Sequence, residues 1–151
     1  MNTQLQDICV SQGLPIYRST EGEGAIEVIA TGDYPMTSHW FRIVERKNDQ
    51  VGVLLEFPSC ERAEIESVER FCELVSEVVF GSIARLYFDT AAKHFFLGGL
   101  TGKETLASHL TSLAYSCDVA IPLCATVGRQ GWWNEETINL ALVDPKDLHS
   151  A

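Results

Sequence analysis

The stretch from Gly98 to Glu104 comes closest to a motif with known chemistry. It reads Gly-Gly-Leu-Thr-Gly-Lys-Glu and lies between a predicted strand and a predicted helix, where a phosphate-binding loop would lie. That loop needs a glycine separated by four residues from its Gly-Lys pair, and a hydroxyl residue after the lysine to hold magnesium. Leu97 stands at the first of these positions, and Glu104, which would repel phosphate, stands at the last. The sequence therefore favours a turn and a helix cap over a nucleotide site.

Histidine and cysteine could bind a metal or act in catalysis, but here they are scattered. No histidine has a second one at ligand spacing, and there is no Cys-x-x-Cys. A cysteine nucleophile would need a base such as His94 or His109 nearby in space. None of the cysteines lies beside clustered Lys or Arg, which would lower a thiol pKa. We therefore predict no catalytic residue, no metal and no cofactor, with a small-ligand binder or a cysteine-dependent enzyme as the alternative. The residues considered are His39, His94, His109, His149, Cys9, Cys60, Cys72, Cys117 and Cys124.

The charge of the chain narrows the class of partner. Over 151 residues there are 21 acidic and 11 basic side chains, giving a formal net charge of −10. Such a surface would repel nucleic acid and anionic membranes. The first residues lack the basic and apolar pattern of a secretory signal, and we expect no stretch long enough to span a bilayer. The odd number of scattered cysteines is typical of reduced thiols. We predict a cytoplasmic protein with no nucleic-acid or membrane partner.

A helix predicted from Ser59 to Val79 would organise the fold. Ser59 is a good N-cap residue, and apolar residues recur behind it at spacings of three and four. Phe71, Leu74 and Val78 extend this apolar arc sideways to roughly half of the helix surface. Because one sheet face requires a narrower stripe, we predict that these three residues form a dimer contact.

The remaining pattern predicts a mostly antiparallel sheet. Thr101 and Glu104 form a T-x-x-E capping box that would open a second long helix, which Pro122 would end or kink. With a short helix near the N-terminus, the element order is α-β-β-β-α-β-β-α. This order predicts an α+β fold, an antiparallel sheet with two long helices packed on it. We predict one domain over 1–127 and a tail over 128–151. Apolar residues, alternating with polar ones in the first two cases, predict strands over 25–31, 39–46, 51–57, 83–89 and 94–100.

Two surface features could bind a partner. Glu69, Glu73 and Glu77 form a ladder of like charge on the first long helix, either a solvated face or a docking surface for a basic partner. Trp132 and Trp133 are adjacent in the polar tail. Two exposed indoles are unfavourable in water, so the pair either docks onto the domain or binds another molecule. We take Trp132 and Trp133 as candidate partner-binding residues.

Several short motifs in the second half of the chain resemble one known group of proteins. They are Phe80-Gly81, Leu86-Tyr87-Phe88-Asp89, Phe95-Phe96-Leu97, Gly99-Leu100-Thr101, Cys117-Asp118 and Pro122-Leu123. Together with the element order over about 3–123, they resemble the fold shared by type III secretion chaperones and YbjN-like proteins. The chain departs from that pattern in its Trp-bearing tail, and in having Thr90-Ala91-Ala92 where the family has Asp-Gly.

The resemblance implies a small, acidic, cytoplasmic and usually dimeric protein without catalytic residues. Secretion chaperones hold a segment of another protein along apolar patches, whereas YbjN-like proteins are tied to regulation and stress. We therefore predict a non-enzymatic protein-binding module, chaperone-like or regulatory, that acts as a homodimer on a protein partner.

Overall fold

A computed structural model describes residues 2–20, 25–31, 38–59, 67–136 and 138–139. Its centre is one antiparallel sheet of six strands in the order β1-β2-β3-β4-β6-β5. Three helices accompany the sheet, so the predicted α+β class is confirmed. The strands are β1 (Ile16–Thr20), β2 (Ala25–Thr31), β3 (Ser38–Glu45), β4 (Gln50–Ser59), β5 (Arg85–Asp89) and β6 (His94–Gly102). The helices are α1 (Asn2–Ser11), α2 (Val68–Val75) with a π-helical turn (Ser76–Phe80), and α3 (Leu106–Gln130) after a 3-10 turn (Lys103–Thr105).

Among the strands in the described residues, β1 alone is not predicted by the sequence pattern. Ile16–Thr20 pairs with β2 and forms an edge of the sheet. The element order therefore contains one more strand than predicted. At the other edge, β5 folds back as a hairpin on β6, and β6 in turn pairs with β4.

Helix α2 begins later than predicted. Ser59 is the last residue of β4, opposite His94, so it does not cap a helix. Instead, Ser67 precedes α2 with a left-handed φ of 55°, and its carbonyl accepts a hydrogen bond from the Phe71 amide at 2.9 Å. Residues 60–66, within the predicted helix, fall outside the described residues.

Helix α3 runs through Pro122 instead of ending there, and it stops at Gln130 before Gly131, which has a φ of 76°. A proline inside a helix removes one backbone hydrogen bond. Here the residues on both sides of Pro122, including Cys117, Leu123 and Val127, are fully buried or nearly so. Burial of the helix against the sheet therefore outweighs the local preference to stop.

The predicted capping box at the start of this helix is wrong. Thr101 lies in β6, and the residue before α3, Thr105, makes no capping hydrogen bond through its side chain. The Ala107 amide instead donates to Gln12 Oε1 at 2.7 Å, and Gln12 Nε2 donates to the Lys103 carbonyl at 2.6 Å. A side chain from the end of α1 thus satisfies the first turn of α3.

The helices pack on one side of the sheet, which we call the inner face. Helix α3 crosses β2, β3, β4 and β6, while α1 covers β1 and β2 and α2 covers β5. Inward-pointing strand residues alternate with outward-pointing ones, as the period of two requires. The opposite side, the outer face, remains open to solvent in the described part of the chain. The largest fully buried side chains include Phe41, Phe71, Phe95, Ile26, Ile43, Leu97, Leu110 and Leu123.

Part of the predicted tail belongs to the core. Residue 128 lies inside α3, and Ile138 is 2% exposed within the hydrophobic core. The packed fold therefore extends beyond the predicted boundary at 127, while residues 140–151 lie outside the described part of the chain.

One helical stretch, Lys103–Gln130, is long and apolar enough to cross a bilayer by length and composition. The expectation that no stretch reaches this length is therefore wrong. Half of its most apolar window is buried inside the fold, as in the core helix of a globular domain, so the stretch is weak evidence for a membrane span.

Candidate binding groove on the outer face of the sheet

Two glycines lower the floor of the outer face where β4, β6 and β5 meet. Gly52 on β4 pairs with Leu100 on β6, and Gly98 on β6 lies between Leu54 on β4 and Arg85 on β5. A glycine inside a strand weakens the strand and often marks a place where a ligand or another backbone comes close. The result is a groove of about 870 Å³ that is open on its solvent side.

Apolar side chains surround this floor. Tyr87 and Phe96 stack with ring centroids 5.1 Å apart and an interplanar angle of 19°. Tyr87 is 44% exposed and Leu100 57% exposed, so both present apolar surface to solvent. Trp40, 54% exposed, lies on the same outer face, on β3 and outside the groove. Exposed apolar side chains grouped on one face can mark an interaction site.

The groove carries positive charge in an acidic protein. Arg46, Lys47 and Arg85 line it, and none of its lining residues, all within the described ranges, is acidic. Acidic residues outnumber basic ones 21 to 11 in the whole chain. The charge of the groove is therefore opposite in sign to the net charge of the chain. Arg46 lies over the floor, because a Cβ atom built on Gly52 would be 3.2 Å from Arg46 Nε. We call this site the basic groove.

The β3–β4 turn holds two of these basic residues in place. Asn48 and Asp49 adopt left-handed φ angles of 60° and 58°, and the Arg46 amide donates to the Gln50 carbonyl at 2.9 Å. Lys103 anchors the turn, since its Nζ lies 3.1 Å from Glu45 Oε1 and its amide donates to the Asp49 carbonyl. The hydrogen bond from Lys103 also lowers the pKa of Glu45. The lysine of the apparent phosphate loop is therefore an anchor of the groove.

The predicted dimer residues occupy three different environments. Phe71 is fully buried in the chain, with its ring 5.6 Å from Phe95 and 5.7 Å from Trp133. It is not on the surface where a second subunit could reach it, so its assignment to a dimer contact needs correction. Leu74 is partly buried, and Val78, on the π-helical turn, is 43% exposed. The sequence could not anticipate that Trp133 would cover part of the wide apolar arc.

The two tail tryptophans also separate. Trp133 packs on Phe71, and its indole N–H donates to the Ser67 carbonyl at 3.3 Å, at the start of α2. Trp132 remains 47% exposed. Trp133 thus docks onto the domain, one of the two alternatives open from the sequence, and Trp132 alone presents an indole to solvent.

The sequence did not predict one buried pair of ionisable residues. His39 Nε2 lies 2.8 Å from Asp118 Oδ1, and both side chains are almost completely buried between β3 and α3. The two residues are 79 positions apart, so no local pattern could reveal them. The pair links the sheet to the long helix, which we interpret as a structural role.

The thiols show no sign of activation. Burial raises the pKa of Cys9 and raises that of Cys72 to about 12, and it raises those of Cys117 and Cys124 as well. Such thiols stay protonated and unreactive at neutral pH. Neither His94 nor His109 forms a hydrogen bond with any of these four cysteines, and burial lowers the pKa of His109. Cys60 lies outside the described residues.

Among the described residues, no group of three or more His, Cys, Asp and Glu side chains is arranged to hold a metal ion. Comparison with known proteins gives no match, whether to a protein-family model, a curated protein sequence or a solved structure. The resemblance to secretion chaperones and YbjN-like proteins therefore remains a prediction from the sequence.

The sequence also did not predict that the residues of the basic groove lie together. Gly52 and Gly98 are the signal that could have pointed to it, because each interrupts a strand that is otherwise rich in bulky residues. The basic residues come from a turn and from a different strand, so only the sheet order brings them together.

Proposed function

We propose that this chain is a non-enzymatic protein-binding module, chaperone-like or regulatory, and that the outer face of the sheet holds its protein partner. The observation that carries the proposal is the one-sided packing of the sheet. The helices cover the inner face, while the outer face presents Trp40, Tyr87 and Leu100 to solvent. The basic groove lies in this same surface. Deep burial and the raised pKa values of four thiols weigh against a cysteine-dependent reaction.

A photo-cross-linking experiment tests whether the outer face of the sheet binds a protein partner. The photoreactive residue p-benzoylphenylalanine replaces Leu100 on the outer face or, as a control, Tyr115, which is 48% exposed on α3. Both variants are irradiated in lysate from the native source and analysed by mass spectrometry. We expect one protein to cross-link in high yield at Leu100 and not at Tyr115. Equal labelling at both positions, or no protein adduct at Leu100, would contradict the proposal.

The predicted homodimer is part of the proposal, with Leu74 and Val78 as its contact residues. Val78 is the exposed member of the predicted set, so Val78→Glu places a charge on the proposed interface without disturbing the core. Light scattering of purified protein should give a dimer for the unchanged chain and a monomer for Val78→Glu. Tyr115→Glu is the control and should remain dimeric. If the Val78→Glu protein has the same molar mass in solution as the unchanged chain, Val78 does not lie in a dimer contact.

A further inference from the structure

The positive charges of the basic groove stand at its two ends. Arg46 lies over Gly52 on β4, with Lys47 next to it, whereas Arg85 begins β5 opposite Gly98. Neighbouring strands are about 4.8 Å apart and residues about 3.3 Å apart along a strand, so the Cα atoms of Gly52 and Arg85 are about 12 Å apart. Two anionic groups at a similar spacing match this arrangement better than one.

The surface between the two ends is apolar and open to solvent. Leu54 and Gly98 form the middle of the floor, and the stacked rings of Tyr87 and Phe96 flank it. Sites for small molecules usually bury most of the ligand in a concave pocket. This groove is open along its solvent side, so it suits a chain that lies across the strands and continues beyond them.

We infer that the basic groove binds an extended acidic segment of the protein partner, with two carboxylates four residues apart and an apolar side chain midway between them. In an extended chain, residues i, i+2 and i+4 point to the same side, and four residues span about 13 Å. The two carboxylates then meet Arg46 and Arg85, and the apolar side chain meets Leu54 and Tyr87. This inference deepens the proposed function and rests on it.

The net charge of −10 acts against an acidic partner at long range. At physiological ionic strength, charges farther away than about 8 Å are largely screened. The groove cations are in direct contact with the segment, and no carboxylate of the described residues is paired with Arg46, Lys47 or Arg85. Contact with the groove therefore favours an anion, while the overall charge slows its approach.

The probe is a synthetic eight-residue peptide, acetylated and amidated, with glutamate at its third and seventh positions, leucine at its fifth and serine elsewhere. Binding to the full chain is followed by the NMR shifts of the Gly52 and Gly98 amides. One control peptide has glutamine in place of both glutamates, and a second has the two glutamates adjacent. We expect the probe to shift both amides and to bind at least about fivefold more tightly than either control peptide, because only the probe places a carboxylate at each end.

Variants of the protein test whether Arg46 and Arg85 bind the probe. Arg46→Gln and Arg85→Gln should each weaken probe binding about threefold to tenfold, as expected for partly exposed charge-assisted contacts. The matched control, Lys93→Gln, removes one positive charge from the β5–β6 turn outside the groove and should leave affinity unchanged. Equal losses in all three variants would indicate only a general charge effect and would overturn the inference.

Two further outcomes would also overturn it. Benzoate that shifts the same amides and binds as tightly as the probe would assign the groove to small organic anions. If the probe leaves both amides unshifted at millimolar concentration, the groove does not bind an acidic segment. If cross-linking at Leu100 still captured one protein in that case, the outer face would remain a binding surface and only the chemistry of the segment would be wrong.

Discussion

Two neighbouring glycines in β6 should respond to alanine in opposite ways. A Cβ atom on Gly98 would lie 3.5 Å from Tyr87 Cε2 and 3.7 Å from Leu54 Cδ2, which are ordinary contact distances. A Cβ atom on Gly99 would lie 2.9 Å from the Ile83 carbonyl oxygen and 3.3 Å from Ala84 Cβ. The first points to the open outer face and the second to the packed inner side. Neither glycine has a left-handed φ, so no backbone strain enters.

The magnitudes follow from these distances. Alanine in place of a strand glycine restricts the unfolded chain, which stabilises the fold by about 0.5–1 kcal/mol when the new methyl group fits. We expect Gly98→Ala to raise the free energy of unfolding by that amount. For Gly99→Ala, moving the backbone of Ile83 costs about 1–3 kcal/mol of overpacking, which exceeds the same gain. We therefore expect Gly99→Ala to lower the free energy of unfolding by about 0.5–2 kcal/mol.

Urea denaturation monitored by circular dichroism measures both changes, provided that the slope with denaturant stays the same. The more stable variant should nevertheless bind the acidic probe peptide more weakly, because its methyl group raises the floor of the basic groove. A Gly98→Ala protein less stable than the unchanged chain would refute the assigned packing of β6. So would a Gly99→Ala protein more stable than the unchanged chain.

Three other predictions concern the core. Trp133→Leu should lower the free energy of unfolding by about 1–2 kcal/mol through lost ring contacts, whereas Trp132→Leu should change it by less than about 0.5 kcal/mol; equal urea midpoints would show that Trp133 does not dock. Asp118→Ala should cost about 3 kcal/mol in the same assay, since it leaves His39 buried without this partner, and a cost below about 1 kcal/mol would contradict that role. The raised pKa of Cys72, about 12 in the folded chain against an ordinary 9.0, keeps its thiol protonated while the unfolded thiol ionises. Stability is therefore fully present below pH 9 and falls as the pH rises toward 12, so the urea midpoint should be lower at pH 10 than at pH 8; an unchanged midpoint would contradict the burial.

The sequence predicted those features whose causes lie within a few residues. The predicted strands 39–46 and 51–57 leave only residues 47–50 between them, and the turn between β3 and β4 lies there. The predicted strands 83–89 and 94–100 likewise correspond to β5 and β6, and Asp89 Oδ1 closes the turn between them by accepting hydrogen bonds from the amides of Ala91 and Ala92. Such turns follow from local side-chain chemistry, which can be read directly from the order of residues.

Local reasoning failed where a distant contact decided the outcome. Ser59 has a suitable side chain for a helix cap, but pairing with His94 keeps it in β4. The sequence likewise places Phe71 in an apolar arc that is wider than one sheet face requires, and Trp133, far along the chain, packs on it. For Ser59, strand pairing overrides a cap preference worth no more than about 1–2 kcal/mol.

The sequence by itself determined the α+β class, most of the strands and the acidic character, because hydrophobic periodicity and composition are properties of the chain alone. Only the tertiary structure decided which residues share a surface. Gln12 caps helix α3 by accepting a hydrogen bond from the amide of Ala107, 95 residues later in the chain, and the basic groove unites a turn, two glycines and the start of β5. The order of strands in the sheet sets these neighbours, and that order depends on the free energy of burying the whole inner face at once, which no single segment encodes.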